Sequence, residues 1–163
     1  MSRRRSKRMR SLPKPANQAC ARSTTPKAQM ECVLHCEISE VRESVGRYVC
    51  VLGSEAEVRD VNVNVCQAST LPLPVLIATE RGSDCDFVSR YFAPTKGVPE
   101  DPITGTSHCT LAPFWGRRFG KTQLHARQLS DRGGEIHCSL DDDRARLTGE
   151  CRYIFRARLQ CQS

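Results

Sequence analysis

The sequence predicts an α+β fold, a mostly antiparallel sheet curled around one central helix. Two observations carry that prediction. Apolar residues alternate with period two along most of the chain from about residue 45 onward, and one stretch midway switches to a helical period. The size agrees, since 163 residues with 39% hydrophobic content suit a single domain with a core of ordinary size. A membrane-spanning helix needs roughly 20 apolar residues. The longest run, Leu73-Pro74-Val75-Leu76-Ile77-Ala78, is far shorter and is broken by a proline, so a helical span is excluded.

Taken in order, residues 31–44 have a weak helical pattern, and the period then becomes two. Tyr48 to Leu52 is a short apolar run, Val61-Asn62-Val63-Asn64-Val65 alternates strictly, Val75 to Thr79 follows two prolines, and Phe87 to Phe92 is a further strand. Ala93 to Pro99 is a loop, being rich in Pro and Gly. The one strong helix runs from about Ser107 to Phe119. Thr104 or Thr106 is placed to cap it, Gly120 to end it, Leu111, Ala112, Trp115 and Phe119 to form its apolar stripe, and Pro113 to kink it. Thr122 to Gln128, Glu135 to Leu140, Arg144 to Leu147 and Cys151 to Leu159 then read as strands, joined by turns at 131–134, 141–143 and 148–149.

The net charge of +7 is unevenly placed. Residues 1–30 hold nine of the 25 Lys and Arg and no acid, which leaves 16 bases against all 18 acids in the remainder. Residues 1–44 therefore read as a basic extension, disordered at its start because it has too few apolar residues to offset the entropy of ordering, and 45–163 as the folded lobe. Three roles compete for the extension: an organelle transit segment, a nuclear-import or nucleic-acid patch, and a solvated tail or mis-assigned start. The near-neutral lobe makes nucleic acid an unexpected partner, and a membrane is not expected either. Ten cysteines with no CxxC pair, several of them inside apolar alternations, read as small core residues of a reducing compartment. The expected location is the cytoplasm, with organelle import as the alternative.

The segment Glu100-Asp101-Pro102-Ile103-Thr104-Gly105-Thr106-Ser107-His108-Cys109 carries the chemistry. Two acids precede a tight turn whose backbone N–H groups open a helix, and such a start attracts a carboxylate or phosphate. Asp101 and the Thr106 hydroxyl flank that spot. The same residues equally serve as helix caps, and spacing leaves both readings open. Cys109 reads as a core residue, His108 as a surface or capping side chain, Arg132-Gly133-Gly134 as a turn, and Asp141 to Asp143 as a polar hairpin turn rather than a metal site. No metal is expected.

Four ordered stretches resemble the successive motifs of the phenazine-biosynthesis-like (PhzF) family. They are Asp86-Phe87-Val88-Ser89-Arg90-Tyr91-Phe92-Ala93-Pro94, Gly97-Val98-Pro99-Glu100-Asp101-Pro102-Ile103-Thr104-Gly105, Leu111-Ala112-Pro113-Phe114-Trp115 and Gln128-Leu129-Ser130-Asp131-Arg132-Gly133-Gly134. The resemblance is dense over about 84–150 and looser back to about 46 and forward to Leu159. It implies the diaminopimelate-epimerase-like fold, two lobes each with a sheet curled around a central helix and an active site between them, of which this chain matches the second lobe.

By that resemblance the family's aspartate is Asp101 and its serine position is held by Thr106, the pair expected to be catalytic. Thr104, Gly105 and Ser107 are expected to bind substrate, with Thr104 standing where related epimerases carry a cysteine. The implied activity is a cofactor-independent isomerisation in biosynthetic metabolism, a proton shift on a small carboxylated metabolite. Nothing in residues 1–45 resembles the family's first-lobe glutamate or its Gly-His motif. The resemblance thus implies a truncated isomerase, inactive alone, that self-associates or meets a separate first lobe; the alternative is a non-catalytic remnant or protein-interaction module.

Overall fold

The computed structural model describes residues 6–8, 12–13, 20–141 and 144–150. Among these residues ten strands form one sheet: β1 (Ser6–Arg8), β2 (Leu12–Pro13), β3 (Ala21–Arg22), β4 (Glu40–Ser44), β5 (Arg47–Val51), β6 (Leu76–Arg81), β7 (Phe87–Phe92), β8 (Gln123–Gln128), β9 (Gly134–Leu140) and β10 (Arg144–Glu150). Their order across the sheet is β1-β10-β9-β8-β7-β6-β5-β4-β3, with β2 also on β10. Neighbours run antiparallel except β5 with β6 and β7 with β8. Those two parallel pairs need crossover connections. The first is made by helices α2 (Glu55–Asp60) and α3 (Val65–Ala68), the second by α4 (Gly105–Phe119).

Which face each residue takes follows from the period of two. In β5, Tyr48 and Cys50 point to one side and Val49 and Val51 to the other, and all four are buried. The central strands β5 to β7 are covered on both faces, which is why they read as continuous apolar runs. Among the described residues, the strands β8 to β10 are covered on one face only: Ile136, Cys138, Ala145 and Leu147 are buried, while Glu135 and His137 between them are exposed.

As the helical stripe predicts, α4 packs against one face through Leu111, Ala112 and Trp115, each buried side chain stabilising the fold by roughly 1.5–3 kcal/mol where it is large. Trp115 stacks on Phe87 at 6.2 Å between centroids and on Phe119 at 5.1 Å. Its indole N–H donates to Thr79 Oγ1 at 3.0 Å, and that hydroxyl donates to the Val88 carbonyl at 2.7 Å, so both polar groups are satisfied inside the core. The helix continues through Pro113 and ends at Gly120, whose φ of 64° is the left-handed cap that glycine favours.

The opposite face holds a second layer. Helix α1 (Lys27–Leu34) buries Met30, Val33 and Leu34 against Tyr48, Leu52, Leu76 and Val88, together with Val58 of α2 and Ala68 of α3. This corrects the extension drawn through residue 44: β3, α1 and β4 belong to the packed fold, and β1 and β2 pair backbone to backbone with β10. The physical reason is that a sheet buried on both faces needs a second cover, which α1 supplies with three buried apolar side chains. The remainder of 1–19 lies outside the described residues.

Three further expectations change. Residues 31–44 are not one weak helix, because His35 adopts a left-handed φ of 52° and turns the chain from α1 into β4. The alternation at 61–65 is not a strand; Asn64 accepts from the Gln67 N–H at 3.1 Å and caps α3, leaving Val65 52% exposed. The turn expected at 148–149 lies within β10, where Thr148 and Gly149 pair with His137 and Ile136. The strand expected at 151–159 lies outside the described residues. Among the described residues no helix is long and apolar enough to cross a membrane.

Candidate functional site

The β7-to-α4 connection supplies the site, and its geometry is set from three directions. Arg90 of β7 forms a two-pronged ion pair with Glu100, both contacts at 2.8 Å, and its remaining nitrogen donates to the Arg59 and Val61 carbonyls, also at 2.8 Å. A planar guanidinium suits this fork. Asp101 follows at once, its N–H donating to the Tyr91 carbonyl at 3.0 Å.

The second direction is the end of β8. Gln128, only 1% exposed, accepts from the Thr104 N–H at 2.9 Å and donates to the Asp101 carbonyl at 2.5 Å. Two residues on, the Ser130 hydroxyl donates to the Pro102 carbonyl at 2.6 Å and accepts from the Gly133 N–H at 3.1 Å. Gly134 packs closely here, since a Cβ at that position would stand 2.1 Å from Ile103 Cδ1 and that side chain would have to move aside.

The third direction is α4 itself. Thr104 is its N-cap residue, yet the Thr104 hydroxyl does not cap the helix; it donates to Asp101 Oδ2 at 2.7 Å. The unpaired first-turn N–H groups that every helix start presents are therefore left without a side-chain cap from Thr104. The Thr104 carbonyl, by contrast, accepts from the Ser107 hydroxyl and from His108 Nδ1, each at 2.8 Å. Because a carbonyl can only accept, Nδ1 carries the proton.

His108 is fully buried, with its ring centroid 5.8 Å from that of Phe87, and burial pushes its pKa down to about 4 against the opposing pull of the Thr104 hydrogen bond. It is thus a neutral core residue, which corrects the surface or capping assignment. Its spacing from Leu111 and Ala112 puts it on the inner side of α4, but the sequence reading left it off the apolar stripe because an imidazole looks polar until its partner carbonyl is known. Cys109 is buried as expected.

The five expected site residues come together at the start of α4 in different postures. Asp101 and Gly105 are partly exposed and Thr106 is exposed, so they face outward. Thr104 and Ser107 are buried at 6% and 1%, with hydroxyls committed to Asp101 and to the Thr104 carbonyl; the Thr104 N–H is held by Gln128, so of the two only Ser107 has a backbone N–H to offer a ligand. Arg47 of β5 donates to the Thr106 carbonyl at 2.9 Å and sets a positive charge beside the first turn. Sequence reasoning did not place Arg47, Gln128, Ser130 or Arg90 at the site. Three of the four lie inside the quoted motifs, so the signal was present without its meaning.

Residues 5–156 match the model of the phenazine biosynthesis-like protein family, PhzC-PhzF. The chain belongs to that family. It is 40% identical over 121 residues to a Pseudomonas aeruginosa protein named an uncharacterized isomerase, an overlap covering 74% of this chain and 46% of that one. A PhzF-family crystal structure from Enterococcus faecalis superimposes with a TM-score of 0.77 at 32% identity, over 80% of this chain and 50% of that chain. A putative PhzC/PhzF protein from Clostridium difficile gives 0.79 at 34% identity, over 93% and 57%. The chain thus spans about half the length of these PhzF relatives. The match also reaches back to residue 5, well before the motifs themselves begin, in keeping with the packing of β3, α1 and β4.

Proposed function

We propose that this chain is the Asp-bearing part of a PhzF-type isomerase, binding a small carboxylated metabolite at the start of α4 for a proton shift by side-chain acid-base chemistry. The observation that carries this reading is Asp101, partly exposed and aligned by the Thr104 hydroxyl at 2.7 Å, beside first-turn N–H groups that suit a carboxylate. That bacterial relatives of this chain are named isomerases supports the isomerase class. In this reading Thr106 contacts the substrate from the exposed side, and Gly105 leaves room for its carboxylate.

Proton transfer also needs a second group within about 3 Å of the proton removed. The neighbouring carboxylate, Glu100, is held on both oxygens by Arg90 and is a poor candidate. The base is accordingly proposed to come from a first lobe, in the same or another chain, and the 163-residue polypeptide alone is proposed to bind without catalysing exchange.

The test combines titration of the isotope-labelled chain with benzoate and a proton-exchange assay on a dihydro-hydroxyanthranilate-like substrate in deuterated water. Amide signals of 101–108 should move and exchange should stay at background. Movement elsewhere with 101–108 untouched defeats the binding assignment. Exchange that disappears on Asp101→Ala would show that this chain carries its own base.

A further inference from the structure

We infer that Gln128 is the positioning residue of the Asp101 site. This rests on the proposed function for what the site binds, but not for the geometry itself. The amide of Gln128 joins two points of one loop. Its Oε1 takes the Thr104 N–H at 2.9 Å, and its Nε2 gives a proton to the Asp101 carbonyl at 2.5 Å. The two partners settle which end of the amide is which, since an N–H can only donate and a carbonyl only accept.

The consequence follows from what Thr104 does next. With its N–H on Gln128 and its carbonyl on Ser107 and His108, the Thr104 backbone is held from both sides, and its hydroxyl, 3.5 Å from Gln128 Nε2, donates to Asp101 Oδ2. Gln128 therefore sets the Asp101 carboxylate through Thr104 without touching a ligand, being itself 1% exposed. It is delivered by β8, whose partner β9 begins at Gly134 against Ile103 of the same loop, and Ser130 ties Pro102 from that same turn. The stretch 128–134, by sequence a strand end followed by a turn at 131–134, is on this account the bed on which the Asp101 loop lies. A buried amide with both ends occupied is also costly to replace, because removing it leaves the Thr104 N–H and the Asp101 carbonyl without partners.

Gln128→Ala and Gln128→Glu, made in the full 163-residue chain, separate this role from simple support of the core. In Gln128→Ala, amide exchange at Thr104 should rise about tenfold or more relative to core amides of β5 and β6, and benzoate affinity should fall about tenfold. Gln128→Glu keeps the acceptor for Thr104 but turns a carboxylate toward the Asp101 carbonyl. Its benzoate affinity should fall about tenfold at roughly pH 8 and recover as the buried acid protonates and regains a donor, a reversibility that a purely structural role would not produce. Both variants keeping Thr104 exchange and benzoate affinity within about twofold of the parent would overturn the inference. If the parent itself does not bind benzoate at 101–108, the functional reading fails, and the positioning role is decided by Thr104 exchange alone. Should Gln128→Ala not fold, Gln128→Glu at the two pH values decides.

Discussion

His108 lies wholly inside the protein with Nδ1 on the Thr104 carbonyl and Nε2 without a partner, so it folds as the neutral imidazole. In the unfolded chain it titrates near 6.5, whereas burial depresses it to about 4 in the native state. Between those values the unfolded chain binds a proton that the folded chain refuses. The contribution to stability is therefore whole above about pH 6.5 and is lost as pH falls toward about 4, up to on the order of 3 kcal/mol. The carboxylates whose pKa is lowered, such as Glu55 and Asp86, lose their contributions lower, below the ordinary carboxylate range. Urea unfolding from about pH 7.5 to 4 should show the slope, and His108→Gln should flatten it. An unchanged slope in that variant would place the proton elsewhere. At the same scale, Arg90 directs four hydrogen bonds to Glu100 and the end of α2, a commitment that lysine, with one nitrogen, could not reproduce.

At the scale of elements, α4 couples site to core. Its outer end carries Gly105 and Thr106, its stripe packs through Leu111 and Trp115, and its last turn holds Arg117 and Arg118 where cations favour the negative end of the helix dipole. Within α4 a close approach falls at Gly116, where a Cβ would stand 2.6 Å from Leu140 Cδ1 and 2.8 Å from the Lys121 carbonyl oxygen. Alanine is the better helix former by up to about 1 kcal/mol. The Leu140 methyl can move, but the Lys121 oxygen is backbone and accompanies the Gly120 cap, so crowding wins. Gly116→Ala should destabilise the protein by about 1–2 kcal/mol in urea unfolding, whereas a stabilised variant would mean that α4 can shift away from β9.

For the whole molecule, the two-sided sheet sorts the thiols. Cys50, Cys109 and Cys138 lie in the two cores, and burial raises all three thiols, that of Cys138 to about 12. Cys85, half-buried, is raised to about 11, while Cys32 and Cys66 are exposed. Thiolate is the reactive form. Brief iodoacetamide treatment of the native chain followed by peptide mapping should label Cys32 and Cys66 first, and Cys50 and Cys138 only after denaturation. Early labelling of Cys50 would contradict the cover that α1 gives that face. The sequence reading of the cysteines as core residues thus holds for these three and not for Cys32 or Cys66.

What the sequence determined by itself is everything carried by local pattern. The period of two placed β5 to β9, the stripe and Gly120 placed α4, and four motifs pointed to the family and to the 101–107 segment, because alternation, capping and turn chemistry are written within a few neighbouring residues. The tertiary structure alone decided what depends on distant partners. That α1 is a core helix, that Asn64 caps α3 rather than sitting in a strand, and that His108 is neutral and buried follow from what packs on them across the sheet. The hold of Gln128 on Asp101 and Thr104 spans 27 and 24 residues of chain, and such a bond exists only once β8 is seated beside β7.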